Sequence, residues 1–175
     1  MKIYLGADHG GFDLKEKIKG WLEEWGQVNY ETYEYEDLGA FELNPDDDYP
    51  DFAIKVAERV VAESHLTPGD PLHETPGVVS TFGILSCRSG AGVVMAANKV
   101  KGIRAGSAHN IESAQHLKAH NNANILAVSG DWLNNAQAKE VIKAFLETKF
   151  EAGRHQRRLD KIAQYENQMF HSLPK

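Results

Sequence analysis

One cysteine in 175 residues excludes an internal disulfide and any cysteine-built metal cluster, which leaves Cys87 a free thiol. No apolar run approaches the roughly 20 residues that cross a bilayer, so no membrane partner is expected. The opening Met-Lys-Ile-Tyr-Leu-Gly has none of the long apolar stretch of a secretory leader, and a cytoplasmic location is expected. Positive charge is in deficit: 19 Lys+Arg against 25 Asp+Glu give a formal charge of −6. That balance disfavours a nucleic-acid partner, because a phosphate backbone is held by excess cation. Proline is scarce, at 6 residues, and Pro68, Pro71 and Pro76 fall within residues 64–77, which therefore read as a surface-loop insertion.

Hydrophobic residues make up 42% of the chain and its 15 glycines follow no triplet repeat, a composition that suits a soluble globular protein. The length fits a single domain spanning residues 1–175. Along it, short β-prone runs alternate with helical periodicity. Strands are expected at 2–7, 33–38 (acidic, and so an edge), 78–87, 103–107 and 123–128. Helices are expected at 12–25, ended by Gly26, and at 50–62, 93–98, 111–120, 134–150 and, as a C-terminal tail, 154–170. Strands nearly all apolar and alternating with helices imply an α/β fold: five parallel strands between two helical layers, Rossmann-like, with a C-terminal helix.

Ligands in such sheets sit at the carboxyl ends of the strands, which draws attention to two turns. Asp8-His9-Gly10-Gly11 follows the first strand and Cys87-Arg88-Ser89-Gly90-Ala91-Gly92 the third. Glycines there serve equally a tight turn or backbone N–H groups aimed at an anion. A cysteine opening a helix has its thiolate favoured, yet free cysteine is also an ordinary core residue. Asp8 and His9 admit a plain reading too, as helix cap and surface histidine. His116 and His120 stand four apart, as metal ligands do, but without a third ligand, and no metal is assigned. Arg154 and Arg158 share a helical face and could clamp a phosphate or simply form a solvated basic turn. Asp46-Asp47-Asp48 lacks calcium-loop spacing and reads as a solvated acidic loop.

Taken in order, residues 6–12, 48–50, 84–92, 96–99, 102–105, 120–124 and 153–158 resemble the sugar-phosphate isomerase family that includes ribose-5-phosphate isomerase B and the galactose-6-phosphate isomerase subunits. The resemblance implies aldose–ketose isomerisation through a cis-enediolate, without metal or organic cofactor. It assigns proton transfer between C1 and C2 to Cys87, assisted by Ser89, and an oxyanion hole to the N–H groups from Ser89 through Gly90 and Ala91 to Gly92. His120, with Asp8 as counterpart, would open the furanose ring. Asn121 would hold a sugar hydroxyl, Tyr49 would line the pocket, and His9, Arg154 and Arg158 would grip the phosphate. Family members are dimers whose sites combine residues of both subunits, so a homodimer or a dimer of dimers is expected.

The chain departs from the family pattern at three places. Arg88 stands where glycine is usual, inside the anion-binding turn. Asp131 stands where some members carry a phosphate-contacting arginine, and Arg88 could compensate its charge. Val93 occupies the place of the catalytic glutamate of another branch, which leaves Cys87 as the base. The expected substrate is ribose 5-phosphate. Alternatives are a six-carbon 6-phosphate such as allose or galactose 6-phosphate, a catalytically silent phosphosugar-binding module, and a metal-dependent isomerase using the histidine pair.

Overall fold

The computed structural model describes residues 1–29, 33–63 and 80–172; the expected insertion at 64–77 lies outside the described residues. The elements follow in the order β1 (Lys2–Ala7), α1 (Phe12–Asn29), β2 (Glu34–Asp37), α2 (Tyr49–Glu63), β3 (Thr81–Cys87), α3 (Ala91–Ala97), β4 (Ala105–Ser107), α4 (Ile111–Asn121), β5 (Ile125–Ser129), α5 (Asn135–Glu147) and α6 (Arg154–Ser172). The five strands form one sheet in the order β2-β1-β3-β5-β4, with every pairing parallel. The acidic strand is an edge, as its composition suggests.

Strand side chains alternate between two apolar layers, the period-2 consequence of the pleat. Ile3, Leu5, Phe82, Ile84, Leu126 and Val128 pack with the inner stripes of α1 and α5 and with Ala114 of α4. Tyr4, Leu85, Cys87, Ile125 and Ala127 pack on the other side with Ala53, Val56, Ala57 and Val60 of α2 and with Val93, Ala96 and Ala97 of α3. This is the three-layer α/β/α arrangement that the apolar strands imply.

Where boundaries differ from expectation, a local interaction explains the shift. α1 continues through Gly26 to Asn29, because a helical glycine costs only about 1 kcal/mol and burial of Leu14, Ile18, Leu22 and Trp25 outweighs it. β4 begins two residues late, because the Arg104 N–H donates to Asn124 Oδ1 at 2.8 Å instead of joining the ladder. α5 stops at Glu147, where Thr148 turns extended and its hydroxyl donates back to Ala144 O at 2.6 Å.

The connection from β1 to β2 moves to one side of the sheet, while β3 lies on the other side of β1. A crevice therefore opens outside the carboxyl ends of β1 and β3, the topological switch point. Ala7 pairs with Ser86, so Asp8 and Cys87 leave the sheet side by side.

Candidate active site

The two glycine turns are joined through their backbones. A Cβ on Gly11 would fall 2.2 Å from the carbonyl carbon and oxygen of Ser86, so only glycine lets the first turn lie against the end of β3. Ser86 Oγ donates to Gly11 O at 2.9 Å and locks the contact. Asp8 is buried, and one carboxylate oxygen accepts the Gly11 N–H at 3.0 Å. Burial raises its pKa above the ordinary carboxylate value; the Gly11 N–H and the nearby His9 pull down and the Asp47 charge pushes up.

Cys87 is buried on the α2/α3 side, and the Gly90 N–H donates to its Sγ at 3.1 Å. Gly90 sits at φ 81°, the left-handed turn that starts α3. Within this turn the Ala91 N–H is taken by Ser89 Oγ at 3.3 Å. The N–H groups of Ser89 and Gly92 have no partner among the described residues. The Tyr49 ring lies over Gly92, whose added Cβ would meet ring carbons at 2.8–3.1 Å. Arg88 is exposed, with its guanidinium 3.8 Å from the Asp131 carboxylate. Arg88 and Asp131, the two departures from the family pattern in this region, are therefore neighbours. The β5–α5 turn carrying Asp131 is tied in by Gly130 N–H to Cys87 O (2.9 Å) and Asp131 N–H to Arg88 O (3.2 Å).

His9 reaches the crevice from β1 and is held by a residue that the sequence did not single out. Asp47 Oδ1 accepts the His9 backbone N–H at 2.9 Å and meets Nδ1 at 2.7 Å. The solvated-loop reading of Asp46-Asp47-Asp48 holds for its exposed outer members and fails for Asp47, whose side chain is 8% exposed. A carboxylate that can bond a neighbouring imidazole and amide is drawn out of solvent.

The remaining candidates form a second cluster. Glu151 N–H donates to Ala119 O at 3.0 Å, which pins the turn before α6 onto the last turn of α4. His155 is thereby stacked on His120, ring centroids 4.4 Å apart and planes within 3°, and His116 stacks on the other side at 4.6 Å. Burial lowers the pKa of His155, and neighbouring His120, Arg154 and Arg158 add to the effect. Arg154 Nε donates to its Nε2 at 3.4 Å. Arg154, Arg158 and Asn121 are exposed around this stack. Glu151 and the central role of His155 escape a reading by spacing, since they arise from the α4–α6 contact.

His120, Glu151 and His155 offer donor atoms within 4.8 Å of one another. Histidine binds metal through a lone pair in the ring plane, and the two near-parallel rings direct theirs side by side, not toward one point. These three residues could hold an ion only after the rings turn.

The two clusters lie at opposite ends of the sheet. Gly83 N–H donates to Asn124 O, four residues below Cys87 on β3, about 13 Å at the rise of a strand. His120 and Asn121 close α4 just before Asn124, at the amino end of the strands. One protomer does not bring Cys87 and His120 to the same small molecule.

Fold and crevice together define a doubly wound α/β protein with a thiol, a carboxylate and an imidazole gathered at its switch point. Residues 3–162 match the ribose/galactose isomerase family, and the chain belongs to that family. It is 40% identical over 167 residues to ribose-5-phosphate isomerase B of Mycolicibacterium paratuberculosis, covering 95% of this chain and 92% of that one. A putative sugar phosphate isomerase of Bacillus subtilis is 39% identical, over 95% of this chain and 97% of its own. Among solved structures, ribose-5-phosphate isomerase B of Mycoplasma genitalium with bound ribulose-5-phosphate superposes with a TM-score of 0.81. It has 36% identity and covers 95% of this chain and 96% of that one. The enzyme of Clostridium thermocellum gives 0.80 at 37% identity, covering 97% and 99%. No helix among the described residues is long and apolar enough to cross a membrane.

Proposed function

We propose that the chain is an aldose–ketose isomerase, one domain over residues 1–175, that interconverts ribose 5-phosphate and ribulose 5-phosphate. The observation that carries the reading is the Cys87 turn. A buried thiol at the switch point has the Gly90 N–H on its sulfur and, beside it, two further N–H groups without partners among the described residues, flanked by Asp8 and His9 and roofed by Tyr49.

The chemistry needs no external oxidant. Cys87, as thiolate, takes the proton from C2 of the open-chain aldose and the C–H electron pair moves through the C1 carbonyl onto O1, forming the cis-enediolate, whose O1 then takes up the proton that O2 gives up. Returning the proton to C1 as the C2 carbonyl forms leaves C2 oxidised, C1 reduced and the product a ketose. The Ser89 and Gly92 N–H groups stabilise the enediolate oxygen, and Ser89 Oγ assists from the same turn. His120 moves the proton that opens the furanose ring, with Asp8 as counterpart, and Asn121 holds a sugar hydroxyl. His9, Arg154 and Arg158 take the phosphate.

This division of labour requires a homodimer in which Cys87 of one protomer faces His120 of its partner. The exposed apolar residues Ile162, Tyr165 and Met169, on one side of α6, supply a surface for such pairing. The phosphorylated sugar is the small-molecule partner, and we place the enzyme in the cytoplasm. A six-carbon 6-phosphate is the second reading, favoured by the Arg88–Asp131 pair at the crevice mouth.

The test is isomerisation of ribose 5-phosphate by purified protein with EDTA present. Activity should persist in chelator and fall at least about a hundredfold in Cys87→Ser, the scale of a lost acid–base group. Activity only on six-carbon phosphates would move the assignment to the second reading, and full activity in Cys87→Ser would remove the thiol from the mechanism.

A further inference from the structure

We propose that Asp47 is a positioning residue for His9, fixing which ring nitrogen is offered to the substrate's phosphate. The inference rests on the phosphate role given to His9 above, and its structural half stands without it.

A carboxylate oxygen accepts hydrogen bonds. A contact of 2.7 Å between Oδ1 and Nδ1 therefore makes Nδ1 the protonated nitrogen, and the same oxygen also takes the His9 main-chain N–H at 2.9 Å. Ring and backbone of His9 are gripped by one atom. Rotation about the side chain would break the Nδ1 bond, so the ring is held with Nε2 as its free edge, and a phosphate oxygen is met there by Nε2–H once the ring carries both protons. A histidine whose Nδ1–H is anchored by a carboxylate has its orientation set and its Nε2 edge directed outward.

Asp47 is itself held for this purpose. Its side chain is 8% exposed, and Oδ2 is buried without a hydrogen-bond partner among the described residues. A carboxylate kept out of water with one oxygen unsatisfied is costly unless its other oxygen is firmly used, and here that use is His9. The residue comes from the loop before α2, 38 positions from its partner, so it joins the β1 turn to the segment that also delivers Tyr49.

Asp47→Ala should raise the KM for ribose 5-phosphate about tenfold, the order expected for a lost charge-assisted bond, with kcat changed less than about twofold because the phosphate does not react. Asp47→Asn, whose amide oxygen can still accept from Nδ1–H, should recover much of the loss. The double variant His9→Ala/Asp47→Ala should be no worse than His9→Ala alone, since Asp47 acts through His9. Ring-nitrogen NMR of the free protein provides a readout independent of activity: His9 should show a protonated, hydrogen-bonded Nδ1 in wild type and lose that hydrogen bond in Asp47→Ala. An unchanged His9 spectrum in folded Asp47→Ala overturns the proposal, as does an additive loss in the double variant. A wild type that does not isomerise ribose 5-phosphate would sink the functional reading alone, and the spectrum would still decide the role of Asp47.

Discussion

An alanine at Gly11 probes the join on which the site depends. Its Cβ would lie 2.2 Å from Ser86 C and O and 2.6 Å from Cys87 N, whereas non-bonded carbon contacts settle near about 3.5 Å. The opposing atoms are backbone, so no side chain can swing away and the two turns must part by about 1 Å. Overpacking of this kind costs about 1–3 kcal/mol. Parting the turns also forfeits the buried Ser86 Oγ bond to Gly11 O, about 1 kcal/mol more. A loss of about 2–4 kcal/mol lowers Tm by about 4–16 °C in a chain of this size. Because Asp8 and Cys87 separate with the turns, kcat should fall about a hundredfold as well, the scale of a 1 Å misplacement. Gly20→Ala is the control: this exposed residue of α1 has nothing among the described residues beyond its own helix within 4 Å of the added methyl, and the change should stabilise the helix by about 1 kcal/mol. The assays are thermal melts followed by circular dichroism and turnover of ribose 5-phosphate at neutral pH. A Gly11→Ala protein melting within about 2 °C of wild type with unaltered turnover would refute the reasoning.

Two further outcomes are expected. Cys87→Ser and His120→Asn proteins, each inactive alone, should regain about a quarter of wild-type activity when unfolded and refolded as an equal mixture. Half of the dimers are then mixed, and each mixed dimer has one intact site of two; no recovery, with mixed dimers demonstrated, would remove the shared site. Asp8 has a raised folded-state pKa, caused first by burial, so its stabilising contribution is full below the ordinary carboxylate range and is lost as pH rises through the raised value. Asp8→Asn, which can still accept the Gly11 N–H, should therefore melt above wild type at neutral pH and lose that advantage in acid. A constant difference across pH, read from melts, would contradict the assignment.

The sequence marks the two active-site turns clearly, because a short apolar strand running into paired glycines has few alternatives to a strand–turn–helix join. The two-faced sheet is equally readable from the nearly unbroken apolar runs in residues 2–7 and 123–128. What escapes is whatever depends on residues far apart in the chain. Asp47 looks like the middle of a solvated acidic run, and only its contact with His9 across 38 positions reveals its use. Arg104 leaves β4 because Asn124, 20 positions on, offers it a side-chain acceptor. The i, i+4 spacing of His116 and His120 does place both rings on one face, as their stacking confirms. Their third neighbour is His155, delivered by the turn of Glu151 against α4, which no periodicity records.

The central claim, proton transfer through an enediolate by Cys87, is tested most directly by following ribose 5-phosphate in deuterated water with the enzyme and EDTA. The account predicts that solvent deuterium appears at C2 of the aldose and C1 of the ketose with wild-type protein, and that exchange disappears with Cys87→Ser. Interconversion of the two sugars with no deuterium at either carbon would mean that hydrogen passes directly between them, and would contradict it.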